Sequence, residues 1–471
     1  MSETIVAIDL GSVYTKVVVA SFEELRGKIK IAAVVETRTS GIAKGIITNM
    51  ESATQTLRSA LEQAKNFSGL DLSSANVVIN ISGNYTKSVV QDTYISIGDR
   101  CIGTDDIERA IETARHRAGI DKKNTQYRII HALPIEFKID EIDDIEDPLN
   151  MSASVLEVKV NIILADTSSI DNISRILASV GIKDYEIVSS IYASSIYALH
   201  DIDKKAGAIV LDIGAHTSDY AIYYKNALAF NGLFPVGSHH ITNDLSETLH
   251  TPLECAESIK LEYKDLVSNE TMIEVPKIGG DDEYVKVSMD VVDQIIKGRV
   301  EESFTVLAHL LREDAHYDKS GAGVIICGGM ANFFNIALHA GTFFLGKTVR
   351  IVSPRASIFL GFEDFIAKPS SSCALGLCMY AAGHCSNYEI SMDGRLRYKK
   401  SKDLEVKIKK SMYEEIVDIG AQVDKSLEEG PQIATTPAEH KKVFDGLKEE
   451  KKKNIFQRAW EWLKNYIITE L

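Results

Sequence analysis

IVLDIGAHTSDYAIYY, residues 209–224, decides how the rest of the chain is read. An apolar run ends at Asp212, the chain turns at Gly214, small and hydroxyl residues follow at Ala215, Thr217 and Ser218, and a second apolar run begins. This pattern predicts strand, turn, strand. The chain opens on the same design: IVAIDLGSVYTKVVVA, residues 5–20, sets Asp9, Gly11, Ser12, Thr15 and Lys16 between two apolar runs. One pattern at two distant places implies an internal duplication.

The residue types suit phosphate. A glycine at a strand end lets backbone N–H groups approach an anion with no Cβ in the way, and Ser and Thr hydroxyls add donors. An aspartate at the strand tip can hold Mg²⁺ through water or orient an attacking water. A single Asp-x-Gly also fits an ordinary hairpin. Two of them at equivalent places in two halves predict a cleft that grips a nucleotide's phosphates from both sides.

Composition bounds the rest. The 471 residues, 45% hydrophobic, allow two or three domains. A net charge of −15 argues against nucleic acid as a partner. Six cysteines without a Cys-x-x-Cys pair read as reduced cytosolic thiols, and Cys378, His384 and Cys385 read as a helix and loop rather than a metal site. Residues 1–4 run straight into a strand with no secretory leader, and no apolar run approaches the ~20 residues of a membrane span, so a soluble body is expected.

In chain order, residues 5–36 predict three strands, 50–66 an amphipathic helix and 76–81 a further strand. Residues 82–161 change pattern: strands over 88–97, 128–139 and 154–164 surround a helix over 105–118 with Thr104 as its N-cap, which reads as an inserted subdomain. Helix 168–180, strand 184–188 and an Ala/Ser-rich helix over 191–200 follow, the small residues suiting close packing between two halves. The second half begins at Gly207, with its third strand over 227–234, helices from Ser238 and Pro252, a hairpin tip at Gly279-Gly280 and a helix over 290–312. GVIICGGMANF then predicts a strand over 323–327, a Gly328-Gly329 turn and a helix from Ala331. Such a turn can pass against adenine and ribose, or it can be a plain strand-to-helix turn. After two phosphate turns it is the expected adenosine loop.

Beyond a helix over 373–382 the core is expected to stop, and the polar residues 387–453 read as a flexible tether. The last stretch differs. Ile455, Phe456, Ala459, Trp460, Trp462, Leu463, Tyr466 and Ile467 fill an arc of roughly 160° on a helical projection, and Lys451, Lys452 and Lys453 precede it. Aromatics on one face with lysines beside them describe an interfacial membrane helix better than one docking on the protein's own body.

Taken together, the order of turns, the insert, the GGM loop and the leashed helix resembles the bacterial cell-division FtsA family. Local strings agree over nearly the whole chain: SGIAKGIITNMESATQTLRSAL, VINISGN, PVGSHHITNDLSETLHTPLECAESIK and SCALGLCMYAAG. The resemblance implies an α/β, actin-like two-domain fold, with ribonuclease-H-like halves duplicated around a nucleotide cleft, an inserted α+β subdomain and a C-terminal amphipathic helix. On that pattern the first half is 1–82 with 164–204 and 369–386, and the insert is 83–163. The second half is 205–238 with 302–368, its smaller subdomain 239–301, the tether 387–453 and the membrane helix 454–471.

It further implies binding of ATP and Mg²⁺, filaments of the chain with itself, capture of the FtsZ C-terminal tail by the smaller subdomain, contact of the insert with later division membrane proteins, and placement on the cytoplasmic face of the inner membrane at the septum. Carried over by position, Asp9, Gly11, Ser12 and Lys16 form the first phosphate motif and Gly214 and Thr217 the second. Glu257 and Lys260 lie on the nucleotide-contacting helix, and Gly328, Gly329 and Met330 form the adenosine motif. Asp9 and Asp212 would hold Mg²⁺ through water, with Asp212 the candidate catalytic group. One departure stands out: where the family usually has three successive glycines, this chain has Gly214, Ala215 and His216. A left-handed His216 would cost roughly 1–2 kcal/mol and its ring would crowd the γ-phosphate, so a nucleotide-binding structural protein is expected rather than an efficient ATPase. The alternatives are a pilus-assembly relative, or a kinase or chaperone ATPase. The last two would need a substrate base or a β-rich client domain that the polar tail does not supply.

Overall fold

Two sheets of one design carry the computed structural model. In the first, Glu3–Leu10, Tyr14–Glu23 and Lys28–Arg38 run antiparallel and Asn76–Ile81 joins Glu3–Leu10 in parallel; Glu186–Ser189 and Phe359–Leu360 close the two edges. In the second, Ala208–Ile213, Ser218–Tyr224 and Ala227–Phe234 run antiparallel, and Val324–Cys327 and then Val349–Ile351 extend the sheet in parallel. The two aspartates hold the same place: Asp9 lies opposite Lys16, and Asp212 opposite Asp219. The described residues, 3–23, 26–118, 126–279, 283–333 and 335–397, all fall within one compact unit, Met1–Lys409.

Continuous apolar runs such as Ile5–Ile8 and Val17–Ala20 are buried because both faces of their sheet are covered. One cover is the helix Met50–Ser68, capped by Asn49, whose side chain accepts the Ser52 N–H, and ended by left-handed Gly69. The other is a pair of helices, Ser190–Ala198 and Ser372–Ala381, in which every residue is buried. A helix apolar all round must be enclosed. These two share one core with the first sheet and with Ala208, Val210, Ala221 and Tyr223 of the second. Their approach requires glycine: a Cβ on Gly376 would come within 1.8 Å of the Ala193 carbonyl oxygen. Small residues thus do set the close packing, and the helix expected over 191–200 stops at Ala198 before a separate turn of helix, Asp201–Ala206.

The opposite face of the second sheet is covered by His239–Leu249, Leu253–Asn269 and Met289–Arg312, which bury Ile209, Leu211, Ile213 and Ile222. A hairpin, Met272–Pro276 with Tyr284–Ser288, stands beside them.

The insert is a sheet of Thr86–Cys101, Ser152–Asp166 and Tyr127–Ile139, with the helix Thr104–Arg117 packed into its core. That helix is capped at Gly103, not Thr104. The Asp106 carboxylate accepts the Gly103 N–H at 2.9 Å and is held to about 2, chiefly by hydrogen bonds from Arg100.

A larger correction concerns residues 387–397, expected to begin the tether. Tyr388, Glu389 and Ile390 are fully buried, and Ile390–Ser391 adds an edge strand to the insert sheet, with Ile390 opposite Ala132. Glu389 accepts hydrogen bonds from His131 Nδ1 at 2.8 Å, Tyr192 at 2.8 Å and Tyr380 at 2.9 Å. His131 Nε2 in turn accepts the Ser189 N–H, so the ring's proton sits on Nδ1. Polar composition hid a segment whose polar groups are paired inside the protein. The remaining tether and the terminal amphipathic helix lie outside the described residues.

Candidate functional site

The first phosphate turn follows from the short connection between Leu10 and Thr15, the last pair of its hairpin. A Cβ on Gly11 would come within 2.6 Å of the Tyr14 carbonyl, so the turn closes on glycine. Asp9 accepts Asn80 Nδ2 at 3.0 Å and pairs with Lys16 at 3.3 Å, while the Lys16 ammonium also donates to the Ser370 carbonyl at 2.6 Å. Burial works against the charge on Lys16, yet Asp9 outweighs it and raises the pKa. Ser12 Oγ accepts the Gly45 N–H at 2.8 Å, which brings the loop carrying Lys44 against the turn.

The second turn closes with the Gly214 N–H donating to the Thr217 carbonyl at 2.9 Å. Neither Gly214, Ala215 nor His216 has positive φ. The expected strain at His216 is therefore absent. The tight contact falls elsewhere: the Gly214 and Ala215 carbonyls accept the Ser238 and His239 N–H groups at 3.0 and 2.7 Å, and a Cβ on Gly237 would come within 2.6 Å of Ala215. Asp212 accepts the Ser194 hydroxyl, and burial, then nearby Asp9, raises its pKa. Its cross-strand partner Asp219 is pushed up to about 8, first by burial and then by Asp212.

The loop expected to meet adenosine is a 3₁₀ turn, Gly329–Asn332, rather than the start of a longer helix; the next helix, Ile336–Gly341, is separate. Gly328 has a φ of 85°, and a Cβ there would strike Asp212 Oδ1 at 2.4 Å, so both its backbone and its contacts call for glycine. Gly329 is exposed and a Cβ on it would meet nothing within 4 Å, so its face is open to a ligand. Met330 is turned into the core, leaving only its backbone for a ligand. On the neighbouring helix Glu257 accepts Lys260 at 2.7 Å and Thr242 at 2.5 Å, and Lys260 also donates to Thr242.

The structure thus brings Asp9, Gly11, Ser12 and Lys16 into one turn, Asp212, Gly214 and Thr217 into the other, and Gly328 against Asp212. Sequence reasoning missed Asn80, Ser194 and Asp219, which hold or face the aspartates, and Lys44 and His239. Asn80 was visible as an amide inside an otherwise apolar stretch of strand. The donors fit a nucleotide with Mg²⁺: open glycine backbone, an ammonium and the paired carboxylates Asp9 and Asp212, to which water and phosphate oxygens would add the remaining ligands. Among the described residues no three His, Cys, Asp or Glu side chains gather into a metal-holding group by themselves.

The family model for cell division protein FtsA matches residues 209–376, and that for the SHS2 domain inserted in FtsA matches 83–164. A cell division protein FtsA of Helicobacter pylori is 31% identical over 85% of this chain and 86% of its own length. The chain belongs to the FtsA family. FtsA of Escherichia coli is 26% identical over 79% of this chain and 88% of its own. Among solved structures, a PilM-PilN type IV pilus biogenesis complex matches with a TM-score of 0.57 at 13% identity, covering 80% of this chain and 98% of that one, which shows a shared fold alone. As an FtsA, the chain is a cell-division protein with an actin-like fold and an SHS2 insert. No helix among its described residues is long and apolar enough to cross a membrane.

Proposed function

We propose that this chain binds ATP with Mg²⁺ between its two turns, assembles with copies of itself into actin-like filaments, and tethers FtsZ filaments to the cytoplasmic face of the inner membrane at the division septum. The FtsZ C-terminal tail would dock on the smaller subdomain, 239–301, and later membrane proteins of the division machinery on the insert. Its role is structural: nucleotide sets the assembled state, and turnover, if slow, is secondary. The observation that carries the reading is the pair of glycine-closed turns, Asp9–Lys16 in one half and Asp212 in the other, within an FtsA chain.

Membrane attachment rests on residues 454–471, where burying Trp460 and Leu463 contributes ~1.5–3 kcal/mol each. Trp460→Glu with Leu463→Glu should release the full chain from anionic vesicles in co-sedimentation. Neutralising Lys451, Lys452 and Lys453 should do less, since each lysine adds about 1 kcal/mol that salt screens. A double variant that still pellets with lipid, or parental binding lost entirely at high salt, would refute insertion of the apolar face.

A further inference from the structure

His216 stands where the phosphates of a nucleotide are expected, and its surroundings fix its chemistry. The ring packs against His239, with centroids 4.8 Å apart and planes tilted by 41°. Its backbone neighbours are pinned, because the Ala215 carbonyl accepts the His239 N–H at 2.7 Å. Among the described residues Nδ1 is buried without a hydrogen-bond partner, whereas Nε2 is not buried and has none. A proton on Nδ1 would be an unsatisfied buried donor, so the favoured tautomer carries its proton on Nε2. Burial opposes adding a second proton, and the neighbouring cations add to that. Lys44 acts on the ring from the loop that bonds Ser12, Lys260 from the helix Leu253–Asn269, and His239 and His240 from the start of the helix His239–Leu249; Glu257, a carboxylate acting on His239, is taken up by Lys260 and Thr242.

We propose that His216 is a neutral Nε2–H donor to the phosphate chain of the bound nucleotide, replacing by a side chain the backbone donors of a glycine turn. The inference rests on the nucleotide reading above and deepens it. Burial and the surrounding cations hold the imidazole at about 4, which keeps it uncharged at neutral pH. Because the turn has no left-handed residue there, a glycine has no backbone strain to relieve, and its main effect is to remove the side-chain donor.

The test is a titration of the full-length chain with fluorescent ATP and Mg²⁺ at pH 6, 7 and 8, for the parent, His216→Gly and His216→Gln. A hydrogen bond to an ionised phosphate oxygen is worth roughly tenfold or more in affinity, so His216→Gly should bind at least about tenfold more weakly while His216→Gln, which keeps an N–H, recovers most of the loss. The ratio of parent to His216→Gly should stay constant from pH 8 to pH 6. Equal or tighter binding by His216→Gly would overturn the proposal, as would a ratio climbing toward tenfold per pH unit, the mark of a cationic ring. If none of the three proteins binds ATP while all remain folded by circular dichroism, the nucleotide reading falls and this inference with it.

Discussion

Asp219→Asn should stabilise this protein at neutral pH. Asp219 is 8% exposed, lies in register with Asp212, and rests against Gly83, where a Cβ would come within 2.0 Å of its Oδ1. Like charges directly opposite on a strand pair repel, and burial strips both of water. A carboxyl raised to about 8 in the fold, against ~3.9 when unfolded, keeps its proton more tightly when folded. Its contribution is therefore most favourable below pH ~4, is lost progressively as pH rises toward about 8, and is flat above. At pH 7 the loss is ~1.4 kcal/mol for each of ~3 pH units, so ~4 kcal/mol is a ceiling. An uncharged amide of the same shape should recover about 2–4 kcal/mol there and almost nothing at pH 4. Urea unfolding of parent and variant followed by circular dichroism at pH 5, 6, 7 and 8 reads this directly. The difference between the two curves is the quantity to use, because His216 and His384, both lowered to about 4, lend stability with rising pH in an overlapping window. A difference that stays flat between pH 5 and pH 8 would refute the assignment of a protonated Asp219.

Lys16→Ala should weaken ATP binding at least tenfold in a fluorescence titration, since the phosphates lose their nearest ammonium; unchanged affinity would place them elsewhere. Gly376→Ala forces a Cβ to 1.8 Å from the Ala193 carbonyl, so the two central helices must part and stability should fall by ~3 kcal/mol or more; a melting temperature within a degree of the parent's would show that they give way freely. Glu389→Ala leaves His131, Tyr192 and Tyr380 without their acceptor and should cost ~3–5 kcal/mol while opening residues 386–397 to limited proteolysis; protection equal to the parent's would mean that apolar packing alone holds the segment.

Period and punctuation carried much of the fold in the sequence. The two hairpins, the insert's long strands and the helices of the second half declared themselves through apolar runs and through Pro252 and Gly328. Polar side chains that bond inward gave no such signal. Residues 387–397 looked like solvated chain because Glu389 and Arg397 are charged, and nothing local reveals that three partners for Glu389 come from positions 131, 192 and 380. The same limit applies at the site. Residue types at Asp9, Gly11 and Lys16 pointed to phosphate chemistry, but the pairing of Asp212 with Asp219 depends on strand register, and nothing local announced the ordinary backbone of His216 or the close approach of Gly237 to its turn.

The edge strand Ile390–Ser391 also decides where tension would enter the molecule. The last described residue, Arg397, lies beside the margin of the insert, not at the end of the helix Ser372–Ala381. A pull applied at Arg397 loads, in turn, its contacts with Glu186 and the Tyr380 ring, the pairing of Ile390 with Ala132, and the Glu389 knot. Those partners belong to the first sheet, the insert and both central helices. A tug on the C-terminal chain is therefore spread over the body as a shear between secured layers, and the insert cannot swing from its neighbours without first breaking that knot.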